Sequence, residues 1–153
     1  MDSNDEKFMR EAIRLARIAF ERGDTPVGSV VVYKGHVVGE GIESVRNEKD
    51  LTAHAELKSV REACRRLETS RLEGCELYTT VEPCFMCSFL IRSAHIARVI
   101  IGKAVPYIGG ITSHYPILVD SGIPTWPAPP VVVSGVLEKE CKDLFVRWAA
   151  VSK

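Results

Sequence analysis

ELYTTVEPCFMCSFLIRSAHIARVII, residues 76–101, reads as a strand, a helix and a second strand in close succession. Glu76 to Val81 and Ala97 to Ile101 are short runs of strand character. Between them Pro83 stands where a helix begins without loss, because the first helical position has no intrahelical partner for the N–H that proline lacks. Cys84 to Ala94 is then apolar enough for a buried helix.

Upstream, Thr52 is expected to cap a helix running through Ala55, Leu57, Val60, Ala63, Cys64 and Leu67. Residues 43–51 are mostly polar and read as a loop. The valine-rich runs Val27 to Tyr33 and Val37 to Gly41, joined across Lys34-Gly35-His36, predict a β-hairpin. From Asn4 to Arg22, Phe8, Ala12, Ile13, Leu15, Ala16, Ala19 and Phe20 recur at helical spacing until Gly23 closes the run. Downstream, Gly109-Gly110, Gly122, Pro124, Pro127, Pro129 and Pro130 punctuate a long irregular connection. It leads to a short strand, Val131 to Val133, and an amphipathic helix, Glu138 to Ala150. This order implies a mixed sheet covered by helices on both faces, an α/β/α sandwich. With no repeat, low-complexity tract or linker, residues 1–153 are expected to form one domain.

The composition fits one compact core: 46% of residues are apolar and 26% charged. Twenty basic and twenty acidic side chains cancel and are interleaved, which speaks against a dedicated nucleic-acid binder. The start, Met1-Asp-Ser-Asn-Asp-Glu-Lys, shows neither a secretory leader nor a basic transit peptide, and no apolar run approaches membrane-spanning length. A cytoplasmic protein without membrane contact is expected. In such a chain, five cysteines favour metal binding or free thiols over a disulfide framework, and only Cys84 and Cys87 are spaced as ligands.

His54 and Glu56 lie at the start of one predicted helix and Cys84 and Cys87 at the start of another. Cysteines at i and i+3 share a helix face, and helix N-termini favour thiolates, so the pair can bind a metal without a heavy deprotonation cost. Zinc suits such nitrogen and sulfur ligands, and three protein ligands leave the fourth tetrahedral position to water, as in catalytic sites. Two thiolates formally neutralise Zn²⁺, so its water is acidified less than by three histidines and a base is needed nearby. Glu56 is spaced to take the water proton and later to protonate a ring nitrogen and the leaving amine. A redox Cys-x-x-Cys pair would leave His54-Ala55-Glu56 without a role, and no second ligand pair exists to close a structural zinc site.

His54-Ala55-Glu56 followed by Pro83-Cys84-Phe85-Met86-Cys87 resembles the cytidine deaminase superfamily, whose zinc enzymes carry His-x-Glu and Pro-Cys-x-x-Cys. Thr25-Pro26-Val27-Gly28, Thr52-Ala53-His54-Ala55-Glu56 and Glu82-Pro83-Cys84-Phe85-Met86-Cys87 look like the branch with tRNA adenosine deaminases, fungal cytosine deaminase and bacterial guanine deaminases. The resemblance implies a cytidine deaminase-like fold with a five-stranded mixed sheet, a homodimer and one zinc per subunit. It also implies hydrolysis of an amino-heterocycle to the oxo product and ammonia. Carried over by position, His54, Cys84 and Cys87 are the ligands and Glu56 the proton shuttle. Val27 belongs to the substrate pocket, the Ala55 N–H faces the substituents of the attacked carbon, and the Glu82 carbonyl orients the departing nitrogen.

Eleven residues before the histidine ligand, where such relatives usually carry asparagine, this chain has Glu43. A carboxylate only accepts hydrogen bonds, so Glu43 is expected to favour a ring presenting N–H or NH₂ at that edge, unless Asn47 fills the role instead. Tyr107, His114, Trp126 and Trp148 are candidates to wall the pocket by stacking on a flat heterocycle. Lys139, Lys142, Arg147 and Lys153 are balanced by Glu138, Glu140 and Asp143, and Arg10, Arg14 and Arg17 read as a solvated helix face. The preferred expectation is therefore a zinc-dependent aminohydrolase of a free guanine-, cytosine- or amino-triazine-like base, with no nucleic-acid partner. The alternatives are a tRNA-specific adenosine deaminase acting at the wobble position, a nucleoside deaminase, or an inert zinc-stabilised subunit, against which Glu56 stands. The apolar run Phe85, Met86, Phe89, Leu90 and Ile91 exceeds what one sheet face needs and suits a dimer interface.

Overall fold

The computed structural model describes residues 3–152. In chain order the elements are α1 (Ser3–Glu21), β1 (Gly28–Tyr33), β2 (His36–Ile42), α2 (Val45–Glu48), α3 (Ala55–Leu67), β3 (Cys75–Val81), α4 (Phe85–Ser93), β4 (Arg98–Lys103), β5 (Val131–Ser134) and α5 (Glu138–Val151). The five strands form one sheet in the order β2-β1-β3-β4-β5. β1 runs antiparallel to both β2 and β3, while β3, β4 and β5 are parallel, so the sheet is mixed as expected. Lys34 and Gly35 both take positive φ, which makes the hairpin a two-residue turn of the primed kind that matches strand twist.

Alternation along the central strands feeds two cores. Val30, Val32, Tyr78 and Ile100 face α1 and α5 with Met9, Ile13, Cys141 and Leu144. Val31, Leu77, Val99 and Ile101 face the opposite way, against Val60 and Ala63 of α3 and Ile91 of α4. The result is the three-layer α/β/α sandwich. At Gly41 of β2 a side chain is excluded by contact: a Cβ there would stand 1.8 Å from the Ala55 carbonyl oxygen. That approach seats the start of α3 on the sheet edge. Among the described residues no helix is long and apolar enough to cross a membrane.

Two local expectations are corrected. Thr52 does not cap α3; its hydroxyl and amide close a turn on Asp50, and the cap position belongs to His54, whose carbonyl accepts the Lys58 amide. The loop over 43–51 carries the short helix α2, anchored by the buried Asp24 carboxylate, which accepts the amides of Arg46 and Asn47. Lys153 lies outside the described residues.

Candidate active site

The N-termini of α3 and α4 converge, with His54 at one cap and Cys84 at the other. Both caps are extended, so each side chain turns across the mouth of its helix rather than along it. His54 Nδ1 lies 3.5 Å from Cys84 Sγ and 3.6 Å from Cys87 Sγ, and the three ligand atoms fall within 4.8 Å of one another. Nitrogen and sulfur around a tetrahedral zinc stand about 3.6 Å apart, given bond lengths of about 2.1 and 2.3 Å. The donor set and its spacing therefore fit zinc.

The electrostatics agree with a site built for a cation. A hydrogen bond from the Cys87 thiol, then one from His54, draws Cys84 down to about 4. Cys87 is raised as the donor of that bond and by burial. His54 is raised to about 9, chiefly by its bond to Cys84. Burial pushes Glu56 up to about 8, with the negative charges of Glu43 and Cys84 adding to it. Burial also pushes Glu43 up to about 7, against the opposing pull of the Ala55 amide.

These groups open into a cleft of about 210 Å³ lined by Val27, Glu43, His54, Glu56, Glu82 and Cys84 on the sheet side. Lys103, Val105, Tyr107, Ile108 and Phe145 line the rest. Cavities for drug-sized ligands run from about 300 Å³ upward, so this one accepts a single flat ring and leaves larger substituents outside.

Several expected contacts fall elsewhere. The Ala55 amide does not face the cleft free; it donates to Glu43 Oε1 at 2.8 Å. Glu43, not Asn47, occupies the cleft wall, because Asn47 is drawn outward to Asp24 and the Arg22 carbonyl. His114 is exposed on the long connection and is absent from the cleft. Trp126 packs at a tilt against Phe89, 5.4 Å between ring centres, and lies under the Arg92 guanidinium, 4.6 Å away. Arg92 is buried and donates to the carbonyls of Ile117, Asp120 and Pro127, and so gathers the proline-rich connection onto α4, away from the cleft. Trp148 sits beside the cleft rather than in it; Phe145, one turn earlier on α5, reaches the cleft and meets Trp148 edge to face at 6.2 Å. Lys103, Val105, Ile108 and Phe145 were missed in the sequence. Phe145 shares Trp148's helix face at i−3, a signal that could have found it.

A mixed five-stranded sheet with a His/Cys/Cys metal site and a buried glutamate two residues from the histidine defines a zinc-dependent hydrolase class. Residues 2–103 match the family model for the cytidine and deoxycytidylate deaminase zinc-binding region, and the chain belongs to that family. It is 46% identical over 113 residues to a tRNA-specific adenosine deaminase of Aquifex aeolicus, covering 74% of this chain and 75% of that protein. A tRNA-specific adenosine deaminase of Bacillus subtilis is 38% identical over 143 residues, covering 94% and 87%. A structure from a study of A-to-I editing by tRNA:A34 deaminases at the wobble position of transfer RNA superposes with a TM-score of 0.84. It is 38% identical and covers 90% of this chain and 98% of that one.

These relatives correct the expected free-base substrate and the expected absence of a nucleic-acid partner: proteins this similar, over 74–94% of the chain, carry tRNA in their names. Net neutrality is a sum over the whole surface and does not report on any one face of it.

Proposed function

We propose that this chain hydrolyses adenosine to inosine in the anticodon loop of a tRNA, at the wobble position, as one deaminase domain over residues 1–153. The observation that carries the reading is the surface beside the cleft. Lys103 lies over the cleft residue Phe145 at 4.6 Å; Phe145 meets Trp148, over which Arg46 lies at 5.1 Å, and the groove of Arg46 and Trp148 runs on to Phe20, over which Arg147 lies at 5.4 Å. Arg17 borders the same groove as Phe20 and Arg147. Among the described residues none of these four cations forms an ion pair, whereas Arg10, Arg14, Lys139 and Lys142 are paired with Glu6, Glu11, Asp143 and Glu138. Unpaired cations interleaved with aromatic rings suit a single-stranded nucleic acid, whose phosphates and bases they can meet together. A cleft with room for one ring suits a base turned out of its strand.

In this reading His54, Cys84 and Cys87 hold zinc, which supplies the Lewis acidity that makes water a nucleophile near neutral pH. Glu56 would carry one proton from that water to the ring N1 and then the second, from the new C6 hydroxyl, to the departing amine. The C6–N6 bond breaks, a C6–O bond forms, and ammonia leaves. Burial keeps the Glu56 carboxyl easily protonated, as a group that must both take and give a proton requires. Val27, Val81 and Phe145 exclude bulk water from the ring.

Two further features belong to the proposal. Phe89 is 57% exposed and Tyr115 68%, beside Phe85 and Leu90, an apolar face suited to a homodimer. The cytoplasm, a compartment that holds tRNA, is the location proposed with the tRNA substrate. The test is inosine formation in an anticodon stem-loop by the zinc-loaded protein, with Glu56→Gln as blank and cytosine, guanine and adenosine as competitors. Turnover of the stem-loop supports the reading; turnover confined to free bases overturns it.

A further inference from the structure

The Glu82 side chain is 3% exposed, yet none of its four hydrogen bonds goes to its own strand or helix. Oε1 accepts the Val105 amide at 2.8 Å and the Thr112 hydroxyl at 2.7 Å. Oε2 accepts the amides of Ile111 and Thr112, each at 2.8 Å. All four donors lie on one loop, Val105–Thr112, which closes on itself around the carboxylate. Gly109 passes so close that a Cβ there would stand 2.1 Å from the Glu82 carboxyl. The same loop is tied to the metal side by the Gly110 amide, which donates to the Pro83 carbonyl at 2.8 Å, and by a bridge between Cys84 and Gly109. Its outer residues, Tyr107 and Ile108, are exposed and line the cleft with Val105.

We propose that Glu82 is a positioning residue: its carboxylate clamps the loop Val105–Thr112 so that Tyr107 and Ile108 stand as the outer wall for the substrate base, in fixed relation to Cys84 two residues away. Only a carboxylate suits the position. Four donors need acceptor lone pairs on both oxygens, and an amide would turn an NH₂ donor against amides that also donate. An unpaired buried N–H is costly, so the loop would open rather than tolerate the mismatch. Without the clamp the wall loses its register while the ligands, held by α3 and α4, keep theirs.

Glu82→Gln provides the test, with two measurements that fail separately. The first needs no substrate: amide hydrogen exchange of the zinc-loaded protein. The Val105, Ile111 and Thr112 amides are expected to exchange at least tenfold faster, with zinc still at one per chain; unchanged protection overturns the clamp. The second rests on the tRNA reading: KM for the stem-loop should rise tenfold or more and kcat fall by less than KM rises. Adding Tyr107→Ala should cost much less in the Glu82→Gln protein than in the wild type, because the wall is already displaced. A fall in kcat with KM unchanged, or full additivity with Tyr107→Ala, overturns the positioning role. If Glu82→Gln does not fold, Gly109→Ala displaces the same loop from the other side and should show the same rise in KM, while Glu82→Asp should recover part of the loss. If wild type leaves the stem-loop untouched, the substrate reading fails while the exchange measurement still decides the clamp.

Discussion

Glu43 Oε1 accepts the backbone N–H of Ala55 at 2.8 Å, so a buried carboxylate fixes the residue that joins His54 to Glu56. Glu43→Ala leaves that amide unpaired at a buried helix start, which costs about 1–3 kcal/mol. Thermal unfolding of the zinc-loaded protein should show a Tm lower by several degrees and turnover reduced at least tenfold. Glu43→Gln keeps an acceptor of the same reach, and its Tm should stay near that of the wild type.

In the proposed reaction Glu56 moves protons and is not a metal ligand. Glu56→Gln should lower kcat by roughly 10²–10⁴-fold, the usual contribution of a positioned acid–base group. Zinc content, measured by atomic emission, should remain one per chain. Loss of zinc in this variant would show that Glu56 holds the metal instead.

Chelation should abolish turnover and expose a difference between the two thiols. Metal-free Cys84, drawn down to about 4 by its neighbours, stays a thiolate well below the ordinary cysteine range. Cys87 is shifted the other way. Iodoacetamide at pH 6 should therefore label Cys84 and spare Cys87, read by mass spectrometry of peptides, and reactivity should fall only as pH approaches 4. Zinc should protect both.

Asp5 is buried and accepts from Arg98 at 2.9 and 2.7 Å and from the Tyr78 hydroxyl at 2.9 Å, tying α1 to β3 and β4. The Arg98 bond holds its carboxyl below the usual value, against burial, which raises it. A depressed carboxylate adds stability that is present above its unfolded pKa of about 4 and is lost as pH falls through the lower folded value. Asp5→Asn should cost roughly 3 kcal/mol at pH 7, less what Glu76 recovers by remaining on Arg98 at 2.8 Å. In urea titrations the gap between variant and wild type should narrow as pH drops from 5 to 2.

Arg46 and Arg147 are expected to meet phosphates flanking the reacting base. Each single change to alanine should weaken stem-loop binding and reduce the slope of log K against log salt by about 0.7, measured by fluorescence anisotropy from 50 to 200 mM salt. A slope that does not move would take the strand off this face.

The order of the strands and the four longer helices, the sheet class and the candidate group His54, Glu56, Cys84 and Cys87 were legible in the sequence, because each rests on local signals, whereas the short helix α2 was not. Valine alternation, the Lys34-Gly35 turn, Pro83 before an apolar helix and ligand spacing all act within a few residues. What lay beyond it depends on which groups meet across the fold. Trp126 went to Arg92 rather than to the cleft, since a buried guanidinium must find carbonyls and the long connection supplied three. Phe145 replaced Trp148 at the cleft by the phase of α5 against the sheet. Glu82, two residues before Cys84, was expected to act through its carbonyl, and only folding showed its carboxylate inside a loop more than twenty positions away in the chain. The neutral sum of charges likewise hid a group of arginines: helix neighbours three and four apart cancel one another, while Arg17, Arg46 and Arg147, from three separate elements, come to border grooves that share Phe20 only in the tertiary structure.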